Sequence, residues 1–281
     1  MAKIIAVANQ KGGCSKTTVV ANLGVGLAMK GKKVCVIDAD PQGSLTASLG
    51  LCEEEAKWNA SSLTLVEDNR QTLATVMMDI INEDSYDPAA CILSHEEGID
   101  LVPANIELSG LEVSLANVMS REMILKEYVD QLRDSYDYII IDCMPSLGVM
   151  TINALVAADK VLVPVQAAYL PVKGLQQLIK TVSVVKKRLN KKLSMMGILI
   201  TMVDYRTNYA KDITQLLRDT YGNSVGVMEN YIPFSVKVAE ASAEGVSVFK
   251  YAPGCKAAES FQKLTEEVLR KRRTGLDRKS D

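Results

Sequence analysis

A short apolar run, Ile4–Ala8, passes directly into Asn9-Gln10-Lys11-Gly12-Gly13-Cys14-Ser15-Lys16-Thr17-Thr18, and a helical pattern opens at Thr17. This junction constrains the chain more than any other stretch. A glycine-containing turn between a strand and a helix aims backbone N–H groups at one spot, and the positive end of the helix adds to the attraction for an anion. Lys16 then places a point charge beside that spot, and the Thr17 hydroxyl is a natural Mg²⁺ ligand. The ordinary phosphate-loop pattern, G-x-x-x-x-G-K-[ST], is not met, because Gln10 and Ser15 stand where it has glycine. What fits is K-G-G-x-x-K-[ST], with a second lysine, Lys11, at the head of the loop.

The rest of the chain alternates in the same manner. Short, nearly continuous apolar runs predict strands at Ile4–Ala8, Val34–Ile37, Ile99–Val102, Tyr138–Ile141, Val161–Val165 and Gly197–Thr201. Such runs suit strands covered on both faces of a parallel sheet. Between them, helices are predicted at Thr17–Lys30, Gln71–Asn82, Glu107–Val118, Arg121–Ser135, Val172–Asn190, Asn208–Tyr221 and Ala257–Arg273. In the last, Ala257, Phe261, Leu264 and Val268 recur at helical spacing and predict docking by one face. The fold class is therefore α/β: three layers, a mostly parallel twisted sheet with helices on both faces, of the phosphate-loop NTPase type. Residues 1–273 read as a single domain and 274–281 as a flexible basic tail. Residues 50–98, acidic and weakly patterned, read as an insertion packed at the edge, with His95 on its surface and Trp58 as a local packing anchor.

Two carboxylate positions fit the loop. The run Tyr138-Ile139-Ile140-Ile141 ends in Asp142, a buried strand ending in an acid that can hold Mg²⁺. The run Val34–Ile37 ends in Asp38-Ala39-Asp40-Pro41-Gln42-Gly43. An acid at one strand end is often only a helix cap. Three chemically matched sites at carboxyl ends of strands are another matter, for open α/β sheets bind ligands there.

With these residues in hand, Lys11-Gly12-Gly13…Lys16-Thr17 resembles the deviant Walker A motif of the ParA/MinD/nitrogenase-iron-protein superfamily, and the chain is most similar to ParA/Soj-type partition ATPases. Asp142-Cys143-Met144-Pro145-Ser146-Leu147-Gly148, Thr151–Leu155, Val163–Gln166, Leu199–Asn208 and Tyr231-Ile232-Pro233 before a 235–243 helix carry the likeness over nearly the whole chain except 50–98 and the tail. The resemblance implies ATP and Mg²⁺ as ligands, with the loop Lys11, Gly12, Gly13, Cys14, Ser15, Lys16, Thr17 and Thr18 around the phosphates. It implies that Lys11 reaches across a nucleotide-sandwich dimer. Asp40 positions or deprotonates the attacking water, Thr17 and Asp142 hold the metal with Asp38 nearby, and Pro233, Phe234 and Ser235 line an adenine pocket. It also implies weak, partner-stimulated ATP hydrolysis, an ATP-dependent homodimer, non-specific DNA binding, a ParB-like centromere-binding partner, and a cytoplasmic, nucleoid-associated location.

Charge distribution bears on the DNA reading. The net charge is only −2, but residues 173–192 hold seven bases and no acid, whereas 51–100 hold twelve acids and two bases. On the 172–190 helix Leu175, Leu178, Ile179, Val182 and Leu189 form an apolar stripe. Lys173, Lys180, Lys187 and Lys191 fall within a roughly 40° arc opposite it, flanked by Arg188 and Lys192. Such a row can contact phosphates. Lys237 is a further candidate, although Phe234 and Lys237 stand where the family usually has arginines. A membrane-bound relative would carry an amphipathic C-terminal helix; Arg270-Lys271-Arg272-Arg273 is basic but lacks an apolar face. No apolar run is long enough for a membrane span or a signal peptide. The six cysteines show no C-x-x-C pair, which excludes a zinc or disulfide framework and, with only Cys143 near the site, an iron–sulfur carrier. Two alternatives remain: an ATP-switched positioner of a protein cargo, and a nucleotide-sensing regulator with negligible turnover.

Overall fold

The computed structural model describes residues 1–51, 70–167, 172–204 and 206–277. In chain order the strands are β1 (Lys3–Val7), β2 (Val34–Ala39), β3 (Leu93–Ser94), β4 (Asp100–Val102), β5 (Tyr138–Cys143), β6 (Lys160–Gln166), β7 (Ser194–Val203) and β8 (Val227–Pro233). The helices are α1 (Lys16–Met29), α2 (Ser44–Ser48), α3 (Leu73–Asn82), α4 (Glu107–Ser114), α5 (Ile124–Leu132), α6 (Val149–Ala157), α7 (Val172–Arg188), α8 (Asn208–Tyr221), α9 (Val236–Ala243), α10 (Val248–Tyr251) and α11 (Lys256–Asp277). Among the described residues they form one sheet of order β3-β4-β2-β5-β1-β6-β7-β8, parallel throughout except for the β3–β4 pair.

Side chains alternate across the sheet with the two-residue period of a strand. Ile4 and Ala6 of β1, Cys35 and Ile37 of β2, and Ile139 and Ile141 of β5 join one buried cluster with α3, α5 and α6. Ile5 and Val7, Val34 and Val36, and Tyr138 and Ile140 join the other, with α1 and α11. Both faces being covered, the central strands carry no polar alternation, and the apolar runs of the sequence follow from that. Truncating Ile140 to Ala would open a cavity and cost about 2–5 kcal/mol. α11 docks by Ala257, Phe261, Leu264 and Val268, all buried, as its spacing predicts. It approaches α1 so closely that a Cβ on Gly26 would fall 2.3 Å from Thr265 Oγ1.

Several expectations are corrected. Residues 70–98 are not a loosely attached insertion: Leu73, Val76 and Met77 of α3 enter the main core, and β3 closes one edge of the sheet. His95 is 7% exposed rather than on the surface, with Nε2 3.4 Å from the Gly245 carbonyl and Nδ1 accepting from Glu97 N. Leu189, expected in the apolar stripe of α7, lies just beyond the helix and is 44% exposed, while Val185 is buried in its stead. α11 continues four residues past Arg273. β8 and α6 were not in the strand and helix patterns. Trp58, residues 278–281 and the side chain of Lys173 lie outside the described residues. No described helix is long and apolar enough to cross a membrane.

Candidate active site

β2, β5 and β1 are neighbours in the middle of the sheet. The three segments singled out in the sequence therefore converge at one edge, the carboxyl end. The loop after β1 is held from below. Asn9 donates its amide to the Pro164 carbonyl at 2.6 Å and accepts from Lys11 N, and Thr201 Oγ1 donates to the Cys14 carbonyl at 3.2 Å. Gly13 has φ 68°, which suits glycine alone among residues without strain. Ser15, at the start of α1, also sits in the left-handed region at φ 71°. The loop thus keeps the shape that a glycine would give it, at a cost of about 1–2 kcal/mol of backbone strain. Cβ atoms on Gly12 and Gly13 would meet nothing within 4 Å, so the loop faces open space.

Lys16 is 7% exposed, and its ammonium folds back to the loop's own Lys11 carbonyl at 3.3 Å. Lys11 itself is exposed. Thr17 donates its hydroxyl to Asp142 Oδ2 at 2.6 Å. Asp142 is buried, and its Oδ1 has no hydrogen-bond partner. Burial, together with the neighbouring Asp38, pushes the Asp142 carboxyl well above the usual carboxylate range.

Asp38 pairs with Asp142 across the β2–β5 register, and burial pushes its pKa up to about 6. Although expected near the metal, its oxygens are already taken. Oδ2 accepts from Thr46 N at 2.9 Å and Thr46 Oγ1 at 2.8 Å, and Oδ1 accepts from Asp40 N at 3.2 Å. Asp38 thereby braces the loop carrying Asp40, whose half-exposed carboxylate accepts from Gln42 N. Thr46 Oγ1 also accepts from Ala104 N, tying the loop to the end of β4.

The residues present fit a magnesium ion. Mg²⁺ takes one or two protein oxygens and fills its octahedron with water and phosphate. The unpartnered Asp142 Oδ1 beside the Thr17 hydroxyl is such a donor pair. Next to the loop, a cleft of about 210 Å³ is lined by Ser15 and Thr18 on one side and Met202, Pro233, Phe234 and Val238 on the other. Its flat, apolar walls suit a heterocyclic base, and it includes Pro233, Phe234 and Ser235 as expected. The sequence reading missed Asn9, Thr201, Thr46, Met202 and Val238. Only Met202, a non-glycine at φ 53°, sits in a strained turn, and no periodic pattern marks any of them.

Lys180, Lys187 and Lys191 are exposed, as are Lys186, Arg188 and Lys192, and none of the six is ion-paired with a described residue. Lys237 is engaged otherwise: its ammonium pairs with Glu240 at 2.9 Å and lies 5.6 Å from the Tyr251 ring centre.

Known proteins show what this chain is similar to. Residues 2–195 match the family described as an AAA domain. The sporulation initiation inhibitor protein Soj of Bacillus subtilis is 40% identical over 268 residues, spanning 95% of this chain and 98% of that protein. The chromosome partitioning protein ParA of Caulobacter vibrioides is 34% identical over 273 residues, 96% of this chain and 95% of the relative. Among solved structures, a Mycobacterium smegmatis protein named cobyrinic acid a,c-diamide synthase, bound to ADP and magnesium, superposes with a TM-score of 0.79 at 33% identity, covering 98% and 97% of the two chains.

Proposed function

The chain belongs to the Soj/ParA family of deviant Walker A ATPases, and we propose that it hydrolyses Mg-ATP to drive the segregation of a plasmid or chromosome. The observation that carries the reading is the meeting of a positive-φ phosphate loop, Lys16, and a Thr17–Asp142 pair with one spare carboxylate oxygen. Lys16 would leave the Lys11 carbonyl for the β- and γ-phosphates, and the loop N–H groups would hold the phosphate oxygens. Thr17 and Asp142 would hold magnesium, which supplies charge neutralisation on the phosphates. Asp40, braced through Asp38 and Thr46, would orient the attacking water and accept its proton. Pro233, Phe234 and Met202 would stack against the adenine. Exposed at the loop head, Lys11 would reach a second protomer's phosphates in an ATP-dependent homodimer.

The dimer would bind DNA without sequence preference through Lys180, Lys187 and Lys191. Six unpaired cations on one helix end support this, because each can release a counterion on meeting a phosphate. A ParB-like partner would stimulate slow turnover, and the protein would be nucleoid-associated in the cytoplasm. A second reading, a positioner of protein cargo, is favoured by one observation: Lys237 is occupied by Glu240 and stands beside Phe234 rather than an arginine.

The test is fluorescence anisotropy of a scrambled duplex titrated with protein in ATP and in ADP at two salt concentrations. Salt-sensitive binding in ATP alone is expected. Absence of binding in both would remove the DNA claim and leave the cargo reading, with the ATP site intact.

A further inference from the structure

The outward face of α4 is not explained by packing within this chain. Ile106, at its head, Gly110 and Val113 follow one another at i, i+4 and i+7 and so share one side of the helix. Ile106 is 67% exposed, Val113 75%, and Met119, just beyond the helix, 91%. The opposite side, Leu108 and Leu111, is buried. Gly110 stands mid-face with nothing within 4 Å of where its Cβ would be, so no contact inside the described chain requires a glycine. A glycine inside a helix weakens it. What it provides here is a flat place where a second backbone can come close, between the apolar shoulders Ile106 and Val113.

The rim of this face is negative. Glu107 and Glu112 flank it, and neither is ion-paired among the described residues, while Arg121 is occupied by Glu122 and the Ala116 carbonyl. The position matters as much as the chemistry. At one end, Asn105 and Ile106 share a cleft with Pro41 and Gln42, and the Ala104 carbonyl would lie 3.1 Å from a Cβ on Gly43. At the other, Glu112 packs on Gly148, whose Cβ would fall 2.4 Å from its Oε1. α4 therefore abuts both the loop that carries Asp40 and the loop that follows Asp142.

We propose that this face docks an amphipathic helix of a protein partner, one with apolar residues along its seam and lysines or arginines beside them, and that docking there steers both loops. Charge complementarity names the partner's class: the rim offers two free carboxylates and no free cation. The effect on hydrolysis rests on the function proposed above, whereas the docking itself does not.

The probe is a fluorescein-labelled leucine–lysine amphipathic helix of about 18 residues, long enough to hold a helix when bound, with its leucine–glutamate counterpart as the charge control. Both are titrated by anisotropy into the full chain and its Gly110→Gln variant. Glutamine favours the helix yet fills the flat spot. The melting temperature is expected to rise or hold, binding of a fluorescent ATP analogue to stay unchanged, and leucine–lysine peptide affinity to fall on the order of tenfold. A Glu107→Lys/Glu112→Lys double variant is expected to lose the leucine–lysine peptide and gain the leucine–glutamate one. Equal peptide binding by wild type and Gly110→Gln would overturn the proposal, as would equal affinity for the two peptides. So would a wild type that ignores both peptides while Gly110→Gln abolishes ATP-dependent self-association, since the face would then belong to a second copy. Peptide binding that behaves as expected in a protein without ATP turnover would support the surface and strike only the ATPase reading.

Discussion

Thr17 donates its hydroxyl to one oxygen of Asp142 at 2.6 Å while the other oxygen of the same buried carboxylate has no partner. A group in that position costs stability when its site is bare and becomes useful when a cation arrives.

The first prediction concerns that cost. Asp142→Asn keeps an acceptor for Thr17 and replaces a buried charge with a neutral amide. In metal-free buffer at neutral pH we expect it to melt roughly 3–6 °C higher than wild type, and to lose Mg-dependent turnover at least ~100-fold. The gain has a pH dependence. Burial raises the carboxyls at this site, Asp38 to about 6 and Asp142 upward beside it. The folded protein therefore holds protons that the unfolded chain has released, and stability falls as pH rises from about 4 through 6. The advantage of Asp142→Asn should be small at pH 4 and largest above pH 6, read by thermal melts across that range. A gain that is flat with pH would refute the account.

Lys16 and Lys11 should separate binding from assembly. Lys16→Ala removes the buried ammonium that faces the loop, and a fluorescent ATP analogue should bind at least ~100-fold more weakly. Lys11→Ala should bind the analogue within about threefold of wild type yet remain monomeric with ATP in light scattering. A normal ATP dimer from Lys11→Ala would remove its cross-subunit role.

Asp40→Ala should bind ATP and form a persistent ATP dimer, with phosphate release reduced ~100-fold or more, the usual weight of a general base. Wild-type turnover in a phosphate-release assay would reassign the water-orienting role. Thr46→Val tests the brace beneath it: both Asp38 oxygen contacts from Thr46 Oγ1 and the Ala104 N bond change, so turnover should fall while nucleotide affinity holds.

Gly245 and Gly50 touch backbone to backbone at φ 69° and 65°. A Cβ on Gly245 would lie 2.6 Å from Gly50 Cα. Gly245→Ala should therefore destabilise by about 2–4 kcal/mol in urea denaturation. It would also part the end of α2 from the loop after α9, which adjoins buried His95. An unchanged midpoint would mean that the backbone yields there at little cost.

How much of this was legible beforehand differs by residue. The phosphate loop, Asp142 and Asp40 were legible because each follows its own strand, and a run of β-branched residues declares where a strand ends. Their convergence also followed, since parallel strands bring all their carboxyl ends to one edge. The roles taken over from family likeness, such as that of Lys11, came from motif spacing and not from packing. Ser15 shows the limit of pattern matching: it departs from the glycine expected there, yet its positive φ keeps the loop's shape.

What tertiary structure alone decided is which distant groups meet. Asp38 carries the same side chain as Asp40, two residues away, and only the arrival of Thr46 from α2 makes one a brace and leaves the other half exposed. His95 lies in an acidic, weakly patterned stretch, and only the approach of Gly245, 150 residues on, buries it. The base cleft is assembled from the start of α1, the end of β7 and the β8–α9 connection, three segments with no shared sequence signal. Strand and loop chemistry is local, written in neighbouring residues. Saturation, burial and cavity shape are sums over contacts between remote parts of the chain, and only the fold brings those parts together.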